Sequence, residues 1–308
     1  MGTEELQRAA ELIRGGGLVA FPTETVYGLG ANALDPVAVG RIFKAKGRPS
    51  TSPLIVHVDS VEMARELVEE WPEAAGTLAA RYWPGPLTLV LPKKPIVPDV
   101  VTAGLATVGI RVPAHPAALA LIRAAGVPIA APSANRFTGL SPTTAEHVRE
   151  GLAGRADFIL DGGPSQVGIE STVLSLATHP PQLLRPGMVS QPEIESLIGP
   201  VVLAGRVENG AHLSPGMHPR HYSPETPLLV VKEGAPLPAG KGVILTRGPE
   251  GSVRMPKDAA SYASALYDTL HRLDGEGWDW IAVEELPATP EWAAISDRLR
   301  RAAAMQPH

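Results

Sequence analysis

An α/β fold in two units is predicted for this chain by three observations. Short apolar runs of strand length alternate with segments of helical periodicity, the pattern of strands interleaved with helices. Several of those runs fall close together, which points to a mixed sheet rather than a purely parallel one. A stretch over 200–227 carries Gly205, Gly210, Pro215, Gly216, Pro219, Pro224 and Pro227 and little apolar periodicity, so it reads as a proline-stiffened linker. A length of 308 residues accommodates a unit on either side of it.

Leu6, Ala9, Ala10 and Ile13 recur at helical spacing, and Gly15-Gly16-Gly17 stops that first helix. The apolar run from Leu18 to Phe21 is a buried strand that must end at Pro22, which has no backbone donor, or sit at a sheet edge. Asp35-Pro36 starts a second helix, with Asp as N-cap and Pro at the first position, and Gly47-Arg48-Pro49 ends it. Leu54–Val58 is a strand, followed by helices over 60–70 and 72–82 and strands over 87–91 and 108–112. A helix over 116–125, a strand over 127–131, a helix over 143–152 and strands over 157–160 and 172–176 complete the larger unit. Beyond the linker, strands at Leu228–Val231, Gly242–Thr246 and Trp280–Val283 and helices over 258–273 and 290–303 form a small α/β unit.

Composition closes several routes. Apolar residues make up 44% and charged residues 19%, which suits a packed core and not a disordered chain. The sequence contains no cysteine, so disulfides, thiolate metal sites and cysteine nucleophiles are excluded. No run reaches the ~20 apolar residues of a membrane span, and the acidic N-terminal segment lacks the basic start of a signal peptide. A cytoplasmic protein with no membrane association is expected. The net charge of -5 argues against a surface that coats nucleic acid, and stable direct RNA binding is not expected.

Candidate chemistry gathers where strands end. Pro22-Thr23-Glu24-Thr25-Val26-Tyr27-Gly28-Leu29-Gly30 delivers hydroxyls, a carboxylate, a phenol and glycines at the mouth of the opening strand. It reads either as a ligand site or as a turn whose side chains cap a helix. Its G-x-G-x-x-A spacing does not follow the strand directly, and no acidic residue stands about twenty positions on, so NAD binding is rejected. Lys44, Lys46 and Arg48 complement a helix C-terminus, with a phosphate cradle as the alternative reading. Ser133-Ala134-Asn135 follows a strand without the G-x-S-x-G elbow of a hydrolase nucleophile, so it either binds a ligand or caps a turn. Arg111 lies inside an apolar strand, where a cation is costly unless it is paired or faces a cavity, and is the best single pointer to an anionic ligand. His212, His218 and His221 read as solvated loop histidines rather than a zinc set.

Together these segments closely resemble the YrdC-like family in its two-domain threonylcarbamoyl-AMP synthase form. The resemblance runs in order through Phe21–Leu29, Lys46–Pro49 with Pro53-Leu54-Ile55 and His57, Trp83–Thr88 and Arg111-Val112-Pro113. It continues through Ala131–Asn135, Glu170–Val173, Arg185-Pro186-Gly187, Ser214–Met217 and His221–Pro224. It implies a twisted mixed sheet with flanking helices over 1–199, a linker over 200–227 that closes on the site as a lid, and a smaller Rossmann-like α/β domain over 228–308. It also implies a reaction: L-threonine, bicarbonate or CO2 and ATP give threonylcarbamoyl-AMP and pyrophosphate, the first step of N6-threonylcarbamoyladenosine formation in tRNA.

The resemblance places threonine against Thr25, His57, Arg111, Ala131 and Ser171. It places ATP against Arg48, Ser52, Thr107, Ser133, Ser141, Arg185 and Tyr222. Lys46, Arg48, Ser133 and Asn135 are the implied catalytic set, with Lys46 and Asn135 completing a wall around the phosphates. Ser52 stands where many relatives carry Asn. Mg2+ is expected with ATP, without assigned protein ligands and without an organic cofactor. The implied downstream partner is the machinery that transfers the threonylcarbamoyl group to tRNA.

Overall fold

The computed structural model describes residues 2–205, 221–232, 234–249 and 251–303. α1 (Thr3–Arg14) turns Ala9, Ala10 and Ile13 inward and ends at Gly15. β1 (Val19–Phe21) stops at Pro22. The chain then loops and returns as β2 (Gly28–Asn32), antiparallel to β1, with Val19 opposite Gly30. The glycines that resemble a dinucleotide loop are therefore strand residues. A Cβ at Gly30 would lie 2.7 Å from the Phe21 ring and from Ile129, so glycine is required there for close packing.

α2 (Pro36–Lys46) is capped by the Asp35 carboxylate, which accepts from the Val37 and Ala38 amides, and ends at Gly47 with φ of 63°. β3 (Ile55–His57), α3 (Val61–Leu67), α4 (Glu73–Tyr82) and β4 (Leu87–Pro92) follow as predicted. A short α5 (Asp99–Thr102) leads into β5 (Thr107–Arg111). α6 (Pro116–Ala125), β6 (Ile129–Ala130), α7 (Ala145–Leu152), β7 (Phe158–Ile159) and β8 (Thr172–Ser175) come next. β9 (Gln182–Arg185), α8 (Gln191–Ile198) and β10 (Val202–Leu203) are elements that periodicity does not indicate. β9 offers two apolar residues between polar ones, too short a signal to register as a strand.

The ten strands form one mixed sheet in the order β10-β9-β8-β4-β5-β3-β6-β2-β1-β7. The sheet combines parallel pairs such as β3 with β5 and antiparallel ones such as β4 with β5. β10 pairs with β9 inside the stretch that reads as linker, so the large sheet extends to Leu203.

The smaller unit has β11 (Leu228–Val231), β12 (Gly242–Thr246), β13 (Val253–Arg254), α9 (Ala259–Asp274), β14 (Trp280–Glu284) and α10 (Ala293–Ala302). Its four strands are all parallel, in the order β11-β14-β12-β13, as the Rossmann-like expectation required. Its core does not stop at its own boundary. Val26, Leu140 and Ile169 of the larger unit pack with Tyr262, Leu266, Tyr267, Ile295 and Leu299 of the smaller one. A shared apolar core resists separation, because parting the units would return that surface to water.

Candidate active site

β3 and β5 run parallel and end side by side, with His57 opposite Arg111. That pairing sets a histidine and an arginine side by side, and with Ile55, two residues before His57, they line one face of the sheet. Next to them the segment 132–134 runs along the start of β2: Leu29 donates to the Pro132 carbonyl and Ala134 to that of Tyr27. Ser133 is thereby placed on the same cavity. Thr23, Thr25, Glu170, Ser171, Arg185, His221 and Tyr222 close the remaining sides.

Arg111 is buried, so its charge needs a partner. Its Nη2 lies 2.7 Å from Glu24 Oε1, an ion pair whose angle falls short of a hydrogen bond. Nη1 donates to Thr25 Oγ1 at 2.9 Å and Nε to the Gly85 carbonyl at 3.0 Å. The Thr23 hydroxyl donates to the Val26 carbonyl and meets Thr25 Oγ1 at 2.8 Å, which fixes the turn carrying both threonines. The opening segment is thus a cavity wall and a side-chain-stapled turn at once. His57 is buried, and desolvation with the Arg111 charge lowers its pKa to about 3, so the ring is neutral at pH 7. Ser171 Oγ meets Thr88 Oγ1 at 2.8 Å and accepts from Arg185 Nη2 at 3.1 Å.

The opposite side of the cavity is cationic. Arg48 is buried and held by neutral groups: Nη2 donates to Ser52 Oγ and, at 3.1 Å, to the Pro53 carbonyl. The guanidinium also lies 5.7 Å from the Phe137 ring centre. Burial lowers the Arg48 pKa to about 10, and the charge of nearby Arg185 works in the same direction. A buried guanidinium still charged at pH 7 and held by neutral oxygens is well suited to an anion. Arg185 donates to the Ser171 carbonyl at 3.0 Å. The Tyr222 hydroxyl sits beside its guanidinium without a hydrogen bond of good geometry.

Thr25, His57, Arg111, Ala131, Ser171, Arg48, Ser133, Arg185 and Tyr222 therefore line one cavity. Five other sequence candidates do not line it. Lys46 is buried, and its Nζ donates to the Ser133 and Asn135 carbonyls and to Asn135 Oδ1. Burial lowers its pKa below that of a surface lysine. Asn135 accepts from Ser133 Oγ and donates to the Gly139 carbonyl, so Lys46 and Asn135 brace the Ser133 turn from the rear. The Ser52 hydroxyl is occupied by Arg48. Ser141 donates to Glu170. Thr107 starts β5 opposite Pro92, at the far end of the strand from Arg111.

His221 corrects the reading of a solvated loop histidine. It is buried, with ring centroids 5.9 Å from Phe137 and 4.1 Å from Tyr222. His212 and His218 lie outside the described residues. Glu24 and Glu170 enter the sequence reading only as parts of motifs; a carboxylate one residue from a candidate hydroxyl is the signal that marks each. Arg298, fully buried on α10, carries no signal in the sequence beyond its place in a helical pattern.

Buried neutral histidines make the fold sensitive to acid. His57 titrates at about 3 and His271, desolvated beside His147, at about 4, both below the unfolded value near 6.5. A lowered folded pKa means the unfolded chain takes up protons first, so stability is complete above about 6.5 and falls as pH drops towards 4. By pH 5 each histidine removes about 2 kcal/mol. The urea midpoint is expected to fall clearly between pH 7.5 and pH 5, and a constant midpoint would contradict the buried neutral state.

The Sua5, YciO and YrdC family model, described as "Telomere recombination", matches residues 11–187. The model of the threonylcarbamoyl-AMP synthase C-terminal domain matches residues 189–304. Threonylcarbamoyl-AMP synthase of Bacillus subtilis is 46% identical, over 97% of this chain and 93% of the relative. The crystal structure of Pyrococcus abyssi Sua5 complexed with L-threonine superposes with a TM-score of 0.90 at 42% identity, covering 97% of this chain and 94% of that one. Escherichia coli YciO matches 60% of this chain and 90% of its own, with a TM-score of 0.53 at 25% identity. With both models in sequence and full-length relatives at this identity, the chain belongs to the Sua5, YciO and YrdC family in its two-domain form.

Proposed function

We propose that this chain makes L-threonylcarbamoyl-AMP from L-threonine, bicarbonate or CO2 and ATP, releasing pyrophosphate, as the first step towards N6-threonylcarbamoyladenosine in tRNA. The observation that carries the reading is one cavity with two cationic sides: Arg111 beside Thr25, His57 and Ser171, and Arg48 with Arg185 beside Ser133 and Tyr222. The first side suits the carboxylate of an amino acid, and the second suits phosphates. The relatives' name and the threonine complex of the P. abyssi protein support the assignment.

The chemistry is balanced in two steps. The neutral threonine amine attacks CO2: an N–C bond forms as a C=O π bond opens, and the nitrogen's proton passes to solvent to leave a carbamate. Where bicarbonate is the source, it takes up a proton and loses water to give the CO2. A carbamate oxygen then attacks the α-phosphorus, an O–P bond forms, the bond to the β-phosphate bridge breaks, and pyrophosphate leaves. Both reactants are anions, so this chain supplies orientation and charge neutralisation rather than a nucleophile. Arg111 holds the amino-acid carboxylate. Neutral His57 and Ala131 wall the side chain without adding charge. Arg48, Ser133 and Arg185 meet the phosphates, with Lys46 and Asn135 fixing Ser133 and Ser52 fixing Arg48. Among the described residues no group of three His, Asp or Glu converges as a metal site. Glu24 and Glu170 are each committed to an arginine. The described residues do not form a Mg2+ site, and the ion is placed on ATP itself.

The deciding test is pyrophosphate release with Mg-ATP, omitting threonine or bicarbonate in turn. Release must depend on both, and release without threonine overturns the assignment.

The lid reading rests on Tyr222. It is buried at a positive φ of 62° and lines the same cavity as Arg48, Ser133 and Arg185, with His221 beside it. In this proposal His221 and Tyr222 withdraw to admit ATP, and their return excludes water from a hydrolysable product. Tyr222→Ala is expected to cut turnover roughly 10- to 100-fold while far-UV circular dichroism stays native. Unchanged kinetics refute the lid.

A further inference from the structure

Glu170 presents a difficulty for the proposed function, because a residue carrying a carboxylate lines a cavity meant for a triphosphate. Left bare, it would repel that ligand. The structure answers with an arginine from the other domain. Arg298 on α10 is 0% exposed, and its Nε donates to Glu170 Oε2 at 2.7 Å. Its Nη2 donates to the Glu170 carbonyl at 3.3 Å and its Nη1 to the Pro186 carbonyl at 3.0 Å. Asp297 Oδ2 accepts a further bond from Nη1 at 3.0 Å. The Tyr267 hydroxyl of α9 reaches both carboxylate oxygens, at 3.4 and 3.3 Å. The Arg298 guanidinium carbon also lies 5.2 Å from the Tyr222 ring centre.

One guanidinium therefore touches the Glu170 side chain and backbone, the residue after Arg185, and the underside of the lid tyrosine. Pro186 and Tyr222 are on the phosphate side of the cavity or directly behind it, and Glu170 lies between that side and Ser171. On the amino-acid side, Arg111 is held by Glu24, Thr25 and Gly85, all of the larger unit. Arg298 does not reach the cavity itself, so it acts through other groups. We propose that Arg298 is a positioning residue through which the C-terminal domain sets the nucleotide half of the site: it neutralises Glu170, holds Pro186 behind Arg185, and supports Tyr222 in its closed position. This inference rests on the function proposed above.

The test uses the full chain and steady-state pyrophosphate release, with KM measured separately for ATP and threonine. Arg298→Met strands the Glu170 carboxylate, and a rise of tenfold or more in the ATP KM is expected, with the threonine KM within threefold. The Glu170→Gln, Arg298→Met double variant removes the stranded charge and is expected to recover at least half of that loss on a logarithmic scale. A merely structural arginine predicts equal rises in both constants and a double variant no better than the single. Either of those results, or an ATP KM within twofold of wild type in Arg298→Met, overturns the proposal. Should Arg298→Met not fold, the same constants are read on Arg298→Lys, which keeps the charge and loses the planar fork; an ATP KM within twofold of wild type there also overturns it. The two readings fail separately. Threonine-independent turnover by the wild type sinks the proposed function, whereas a threonine-dependent wild type with indifferent Arg298 variants sinks this inference alone.

Discussion

Arg111→Ala is expected to raise the threonine KM by roughly 100-fold or more, the scale of losing a buried, hydrogen-bonded charge contact. Three of its contacts explain why no neighbour substitutes. Nε is fixed by the Gly85 carbonyl, Nη1 by Thr25 and Nη2 by Glu24, so the guanidinium is aimed before substrate arrives. The same substitution strands Glu24, whose Oε2 already has no hydrogen-bond partner among the described residues. Removing one partner of a buried pair costs about 3–5 kcal/mol. The variant should therefore show both a lower urea midpoint and lost threonine saturation. A Glu24→Gln, Arg111→Ala double variant separates the two effects, because it returns stability without returning threonine binding. Threonine titration by calorimetry reads the binding, and wild-type saturation in Arg111→Ala would sink the role.

Gly187→Ala is the second large effect, and it acts on stability. A Cβ at Gly187 would lie 2.2 Å from the Thr172 nitrogen, 2.5 Å from Thr172 Oγ1 and 2.7 Å from the Ser171 carbonyl carbon. Two of those atoms are backbone, so no side-chain rotation relieves the clash. The Thr172 amide donates to the Pro86 carbonyl at 2.9 Å, and its hydroxyl exchanges bonds with the Val189 carbonyl and amide. Pushing Thr172 away breaks those links and parts Ser171 from Arg185. Overpacking and buried unmet groups together make about 3–5 kcal/mol, a large share of a typical domain's stability of about 5–15 kcal/mol. Urea unfolding of the variant checks this. A loss below about 0.5 kcal/mol would place it among ordinary surface changes and contradict the crowding at this position.

Features set by neighbours along the chain are legible in the amino acids themselves. Asp35-Pro36 caps α2 and Gly47 ends it because capping needs only a local carboxylate and a residue tolerant of positive φ. Arg111 stands out because a cation in an apolar strand is anomalous wherever the chain goes. Its partner is not legible: Glu24 meets it only because the loop between β1 and β2 comes to Arg111 from four strands away in the sheet. The Gly28–Gly30 segment misleads for a related reason, since the Phe21 ring that demands glycine belongs to another strand. Lys46 and Asn135 carry the right chemistry for phosphates, yet each spends its polar atoms on the Ser133 turn, a distinction that depends on side-chain direction.

The order of motifs, the α/β class, the two units and most of the cavity-lining residues can be read from the amino acids alone, because they depend on periodicity, local capping and motif content. Three-dimensional packing settles which charges meet. Arg298 and Glu170 stand 128 positions apart and pair only because the two units share one apolar core. His221 is buried rather than solvated because Phe137 and Tyr222 close around it. Desolvation and Coulomb attraction depend on distance through space, and no local pattern in the chain encodes that distance.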